Sequence, residues 1–473
     1  MADEVLSRRA LNRALLDRQM LLRRVPSPRP GAAGAPDAAG AAGGAGVAGT
    51  AGGPGVAGAL GGDGDWVVGV VEGLVGMQAQ APFPPYYGLW SRLEGFQPDQ
   101  LADLIVSRRV VRIALMRGTI HLVSAADCLM LRPLLQPVLE RALAATFGRR
   151  LAGVDTAELA QAGQELVEAE PRTFAELGVL LAEQWPDHPP DALAQGVRGL
   201  VPLVQVPPRA VWGKAGQARH TTAEAWLGDT AGLDREAGLD REAGLDREAG
   251  LDREAGLDRE AGLDREAGLD RGAGPGREAG LDREAGLDRG AGPGREAGLE
   301  GMVLRYLAAF GPASVKDVQV WSGLTRLREV VDRLRPALRT FRDENGIELF
   351  DLDDAPRPDP QEPAPIRLVA EYDNLILSHA DRSRVLDDEA RARIFTPNGQ
   401  FPGTVLIDGF VRGIWRITRT GGAATGTATC VVETFGKISG SDRDHISAEA
   451  ERLLAFAASQ ATRQDIQFEN PAR

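Results

Sequence analysis

The chain has 473 residues, 43% hydrophobic and 26% charged, with a formal net charge of −13; such a composition supports a sizeable buried core and excludes disorder throughout. Its two cysteines, Cys128 and Cys430, exclude a disulfide framework and a Cys-rich zinc module and point to a reducing, cytosolic setting. No apolar run reaches the roughly 18 residues a membrane span needs, and the first 25 residues, with six basic and three acidic side chains, hold no apolar secretory core.

In chain order, residues 7–24 form a first helix with Leu11, Leu15 and Leu22 on one face. Residues 31–64 are nearly all Ala, Gly and Pro, with 14 glycines in 34 positions, and read as a disordered spacer. Around that spacer, residues 1–130 hold an irregular copy of a helix–helix–helix–hairpin module, whose first helix is 7–24 and whose end lies near 101–121. A second copy fits 151–230: Asp155 with Glu158 and Thr173 with Glu176 begin helices, 191–201 is the third helix, and 204–226 is a hairpin around Gly213 and Gly216.

From Ala231 the hexamer Ala-Gly-Leu-Asp-Arg-Glu recurs through Glu296, and its seven full copies contribute −7 of the −13 while four variant copies are neutral. A period of six turns each Leu about 240° from the last on a helical wheel, so no apolar stripe forms and 231–298 reads as a disordered insert. The clearest copy of the module occupies 299–355. Val303, Leu304, Leu307 and Ala308 give its first helix, Ser314 caps its second, and 325–335 buries Leu327, Val330, Val331 and Leu334 at helical spacing. A hairpin over 338–352 turns at Asn345-Gly346, a pair suited to a two-residue loop. Residues 365–465 are β-rich, with strands at 403–407, 413–418 and 428–434 and a closing helix at 446–459. Three helices and a two-stranded wing make a winged helix, so the expected fold class is α+β, with three tandem winged-helix motifs, a β-rich C-terminal region and two low-complexity inserts.

No Walker loop, Rossmann fingerprint, paired-histidine zinc motif or nucleophile elbow occurs, and the five histidines are too scattered to suggest a metal site, so no cofactor is expected. Gln78 and Gln80 stand out instead. At i and i+2, just before Pro82, they are extended or turn-like and then face one side, giving two carboxamides one pocket; the plainer alternative is that they satisfy backbone groups at a helix end. Lys214, Arg219 and His220 sit at or near the second wing's tip, where hairpins touch phosphate, and Arg326 and Arg333 lie off the apolar stripe of the last module's third helix. Arg117 and His121 either contact phosphate or, in the histidine's case, sit satisfied between Ile120 and Leu122. His379, with Asp381, Arg382 and Arg384, lines a DNA channel or forms an internal network, with the channel preferred; Trp90 and Trp321 belong to the core.

Several segments carry a family resemblance: Leu-Asn-Arg-Ala-Leu-Leu at 11–16, Gly-Met-Gln-Ala-Gln-Ala-Pro at 76–82, Tyr-Gly-Leu-Trp-Ser-Arg-Leu at 87–93, Met-Arg-Gly-Thr-Ile-His at 116–121, Gln-Val-Pro-Pro-Arg at 205–209, Gly-Gln-Ala-Arg-His-Thr-Thr at 216–222 and Tyr-Asp-Asn-Leu-Ile-Leu-Ser-His-Ala-Asp-Arg at 372–382. Together they resemble the winged-helix DNA-binding family that includes the azinomycin-resistance DNA glycosylases. That resemblance implies tandem winged helices in a C-shaped arrangement and a catalytic Gln-apolar-Gln signature, here Gln78, Ala79 and Gln80. The small Ala79 and the Ala/Gly spacer before the motif depart from the family pattern.

The resulting reading is a monomeric, cytoplasmic, nucleoid-associated protein that binds damaged double-stranded DNA and hydrolyses the glycosidic bond of bulky or crosslinked N7-alkylated purines. Alkylation at N7 makes the base a good leaving group, so amides that place water and stabilise the sugar cation suffice. The rival is a non-catalytic DNA-binding or regulatory protein that reads duplex through a recognition helix.

Overall fold

A computed structural model describes residues 4–27, 64–228, 293–395, 399–421 and 426–469. The Ala/Gly spacer and nearly all of the hexamer block lie outside the described residues. Among the described residues the fold is mixed α+β with three β-sheets.

Among the described residues, three helices followed by an antiparallel strand pair occur three times. In the first unit the helices are Asp65–Gly73, Pro84–Arg92 and Pro98–Val106, and the strands are β3 (Val110–Ala114) and β4 (Ile120–Ser124). The second has helices Thr156–Ala169, Phe174–Leu181 and Pro190–Leu200 with strands β5 (Leu203–Gln205) and β6 (His220–Thr222); the third has Pro293–Phe310, Val315–Ser322 and Arg328–Leu334 with β7 (Leu338–Asp343) and β8 (Glu348–Leu352). In each unit the link between the first two helices adds a strand or a single bridge to the second strand of the pair: β2 (Met77–Gln78) on β4, Arg172 on His220, and Ala313 on Phe350.

Helix starts follow side-chain chemistry. Asp155 accepts the N–H groups of Ala157 and Glu158, Thr173 and Glu176 cap each other reciprocally, and Ser314 does the same with Asp317.

Three expectations change. The N-terminal helix, Arg8–Arg18, belongs to the last unit rather than the first: β1 (Glu4–Leu6) pairs with β7, Leu11 packs with Phe341 and Leu349, and Arg18 forms a buried bidentate pair with Asp351 (2.7 and 2.8 Å). The first unit takes its opening helix from Asp65–Gly73, beyond the spacer. Helix Pro293–Phe310 begins inside the block read as an insert, and Arg295 anchors it by donating to the carbonyls of Pro133 and Leu134. The 338–352 hairpin does not turn on a two-residue loop; Asp343 accepts the N–H groups of Asn345 and Ile347, and only Gly346 of that pair is left-handed (φ +80°).

The first two units share one antiparallel sheet, ordered β2-β4-β3-β5-β6. Helix Ala125–Phe147 leaves it, and the main core gathers Leu131, Leu135 and Val138 of that helix with Tyr306, Phe310 and Trp321 of the third unit. The C-terminal sheet, ordered β13-β12-β11-β10-β9, comprises Arg463–Glu469, Thr427–Thr434, Phe410–Thr420, Gly403–Ile407 and Arg367–Val369. Its β12–β13 pair is parallel, and helix Gly440–Ala457 supplies the crossover such a pair needs.

Candidate active site

The Gln-Ala-Gln segment lies at the edge of the first sheet. Val75 and Gly76 both take left-handed backbone (φ +52° and +85°), turning the chain from helix Asp65–Gly73 into β2. A Cβ at Gly76 would lie 2.6 Å from Val123, so only glycine fits that approach. The middle residue, Ala79, is fully buried in a cluster with Met77, Tyr86 and Leu122.

Each glutamine has its side-chain oxygen on a fixed donor. Arg117 Nη2 donates to Gln78 Oε1 (2.6 Å), and the Ile120 N–H donates to Gln80 Oε1 (3.3 Å). Neither partner can accept, so both amides are oriented with oxygen inward, and each retains an amide NH₂ and a second oxygen lone pair. Gln78 lies in β2 at the sheet edge, and Gln80, two residues on, stands at a bend where it satisfies the backbone N–H of Ile120.

Arg117 joins three parts of the chain. It stands at the tip of the β3–β4 turn with φ +58°, a conformation that is uncommon for a side chain other than glycine. Besides Gln78, it donates to the carbonyl of Trp321 (2.9 Å) and to Asn374 Oδ1 (3.4 Å), while Asn374 Nδ2 donates to the Gly76 carbonyl (3.2 Å). A buried bidentate pair, Arg92 to Asp373 (2.8 and 2.9 Å), fixes the segment that carries Asn374. Gln78 and Asn374 line a small pocket with Met77, Pro84, Pro85 and Glu371.

His121 lies directly opposite Gln78 in the ladder and is fully buried. Burial pushes its pKa down to about 3, with the Arg117 cation acting in the same direction. Its Nδ1 donates to the Thr119 carbonyl (3.0 Å), leaving Nε2 a bare acceptor. The phosphate-contact expectation for His121 is therefore corrected: a buried neutral imidazole has no charge to offer.

The remaining expected site residues do not converge here. Lys214 is exposed on the loop between β5 and β6, as a phosphate contact requires. Arg219 is part-exposed and lies along the surface, paired with Glu176 (2.7 Å) and the Pro171 carbonyl (2.8 Å). His220 is buried, stacked on Phe174 at 4.1 Å and held neutral with its pKa pushed down to about 3 by burial, so its expected DNA contact is corrected too. Arg326 is exposed just ahead of helix Arg328–Leu334, and Arg333 on that helix pairs with Glu300 (2.7 Å).

The preference for a channel at 379–384 is overturned. His379 is buried between the Phe310 carbonyl and the Ser378 hydroxyl (3.0 Å each), and burial pushes its pKa down to about 3. Arg384 is buried on the Pro312 carbonyl (2.9 Å), and Arg382 donates to the Ile376 carbonyl (3.0 Å) and stacks over Phe395. They form an internal network beside Asp317.

Sequence reasoning missed Arg112 and Asn374. Arg112 is the charged residue of an otherwise apolar strand and is buried; Asn374 stood in the quoted 372–382 segment without a role.

Residues 71–456 match the family described as DNA glycosylase AlkZ-like. No curated protein matches the chain. Among solved structures, the Streptomyces sahachiroi DNA glycosylase AlkZ is similar with a TM-score of 0.59 at 16% identity, over 98% of this chain and 100% of that one.

Proposed function

Because the chain belongs to the AlkZ-like DNA glycosylase family, we propose that it is a monofunctional, monomeric glycosylase that releases bulky or crosslinked N7-alkylated purines from double-stranded DNA, with Gln78 and Gln80 as its catalytic pair. The three units are winged helices in this reading, each with its short first strand on the second strand of the wing. The observation that carries the assignment is the pair of carboxamides oriented by Arg117 and the Ile120 N–H.

Cleavage breaks the C1′–N9 bond, and the electron pair goes to the cationic base, which departs as a neutral N7-alkylpurine. The positive charge passes to the sugar as an oxocarbenium ion; water adds at C1′ and loses a proton, leaving an abasic site. Each glutamine's second lone pair can accept from that water or face the developing cation, both preorganised before the bond breaks. Amides are weak bases, so undamaged purines are poor substrates.

The third helices weigh against a groove-reading regulator. Pro98–Val106 carries Asp99 and Asp103 and no basic residue, Pro190–Leu200 is largely buried, and on Arg328–Leu334 both arginines are paired, Arg328 with Asp332 and Glu348 and Arg333 with Glu300. The test is to incubate the protein with N7-methylguanine duplex and nitrogen-mustard-crosslinked duplex and score abasic sites; duplex binding with no abasic product returns the regulator.

A further inference from the structure

In a regular antiparallel ladder, residues that face each other across a hydrogen-bonded pair exchange both N–H and carbonyl groups. Ala79 and Ile120 exchange one: the Ala79 N–H donates to the Ile120 carbonyl at 2.7 Å. The return bond is replaced at both ends. Ile120's N–H goes to the Gln80 side chain, and the Ala79 carbonyl accepts from Arg112 Nη2 at 2.6 Å. Arg112 lies one strand further in, opposite Leu122 of β4 and Gln205 of β5, and is 3% exposed. Its side chain reaches across β4 to the peptide between the two glutamines.

We propose that Arg112 is a positioning residue for Gln80: by holding the Ala79 carbonyl out of the ladder, it leaves the Ile120 N–H open to the Gln80 carboxamide and so fixes that amide toward the substrate. The inference rests on Gln80 being catalytic. A charge-assisted bond to a carbonyl is about twice as strong as a neutral one, so the guanidinium sets the direction in which the Ala79 carbonyl points and turns it away from the line of the Ile120 N–H. Without it the Ala79 carbonyl swings back to Ile120, the ladder closes, and Gln80 loses the donor that orients it.

The test is single-turnover excision on N7-methylguanine duplex, with equilibrium DNA binding, for R112M, R112K, Q80A and the double variant R112M/Q80A. R112M should slow excision by roughly 100-fold, the scale of an ångström-level misplacement of a catalytic group, with the dissociation constant within about threefold of wild type. R112K keeps a cation but loses the fixed fork, and should fall about tenfold. Added to Q80A, the arginine change should cost nothing further, because it acts through a group already gone.

Amide hydrogen exchange gives a readout that general destabilisation moves the other way. Ile120 should gain protection in R112M as its N–H closes onto Ala79, whereas a merely loosened sheet loses it. Wild-type excision in R112K or R112M, rate losses that multiply with Q80A, or lower Ile120 protection each overturn the proposal while the glutamine assignment stands. Wild-type excision in Q80A defeats the assignment and the proposal together. If R112M does not fold, R112K carries the same cycle with Q80A.

Discussion

Alanine at Gln78 and at Gln80 should separate chemistry from architecture, because the two side chains have unequal structural partners but equivalent roles in the proposed reaction. Gln78 is 7% exposed and accepts from a guanidinium at 2.6 Å, whereas Gln80 is half-buried and accepts from a neutral amide at 3.3 Å. Losing the charge-assisted bond costs about 1.5–3 kcal/mol of stability and losing the neutral one about 0.5–1.5. Q78A should therefore melt lower than Q80A, at the lower end of about 2–4 °C per kcal/mol in a chain of this size.

Excision should not follow that order. If each carboxamide acts in the transition state, either loss costs about 2.7–4 kcal/mol, or roughly 100- to 1,000-fold in rate, with DNA affinity nearly unchanged. Single-turnover excision, equilibrium binding and a circular-dichroism melt on the same preparations read all three quantities. A rate loss that scales with the drop in melting temperature, or that comes with an equal loss of binding, would refute the reasoning. Q78E should melt close to wild type, since its carboxylate pairs with Arg117, and should retain excision, since it keeps the acceptor lone pair that faces the water or the sugar cation.

Acid should destabilise the protein from pH 6.5 downwards. His121, His220 and His379 each have a folded pKa depressed from 6.5 to about 3, so between those values the unfolded chain binds protons the folded chain refuses, each adding a slope of about 1.4 kcal/mol per pH unit. Chemical denaturation across pH 7 to 4 checks this, and H379Q should flatten the curve. Deleting residues 231–290 should leave the melting temperature nearly unchanged, since loop length costs about 0.6 kcal/mol per doubling, whereas a deletion through Glu296 removes Arg295 with its two bonds to the Pro133 and Leu134 carbonyls and should lower it. K214A should reduce the salt slope of duplex binding by roughly 0.9, one phosphate contact; R219A should leave the slope alone, because Arg219 is committed to Glu176 and Pro171.

Where local chemistry decides, the sequence was readable. Asp155, Thr173 and Ser314 cap helices because their side chains reach the N–H groups two or three residues on, and the apolar spacing at Leu327, Val330 and Val331 marks buried positions. Long-range pairing was not readable. Nothing in residues 4–18 says that their strand and helix join β7 some 330 residues away, and nothing beside His379 or His220 distinguishes a buried imidazole from a phosphate contact until the packing is known. At the candidate site, Gln78 and Gln80 stood out by spacing, but the groups that orient them, Arg117, Asn374, Ile120 and Arg112, come from elements that sequence places far apart. Arg112 did carry a signal, a lone charge in the apolar run 110–115.

Arg117 has a consequence for the protein's synthesis. Its guanidinium is fixed by Trp321 and Asn374 as well as by Gln78, so a nascent chain that has already exposed the Gln-Ala-Gln segment lacks two of the acceptors that hold it. At about 5–20 residues per second, the ribosome needs roughly 15–60 s to deliver the missing partners. Chains released before residue 374 by interrupted translation therefore carry the motif without one or both of the groups that hold Arg117 against Gln78.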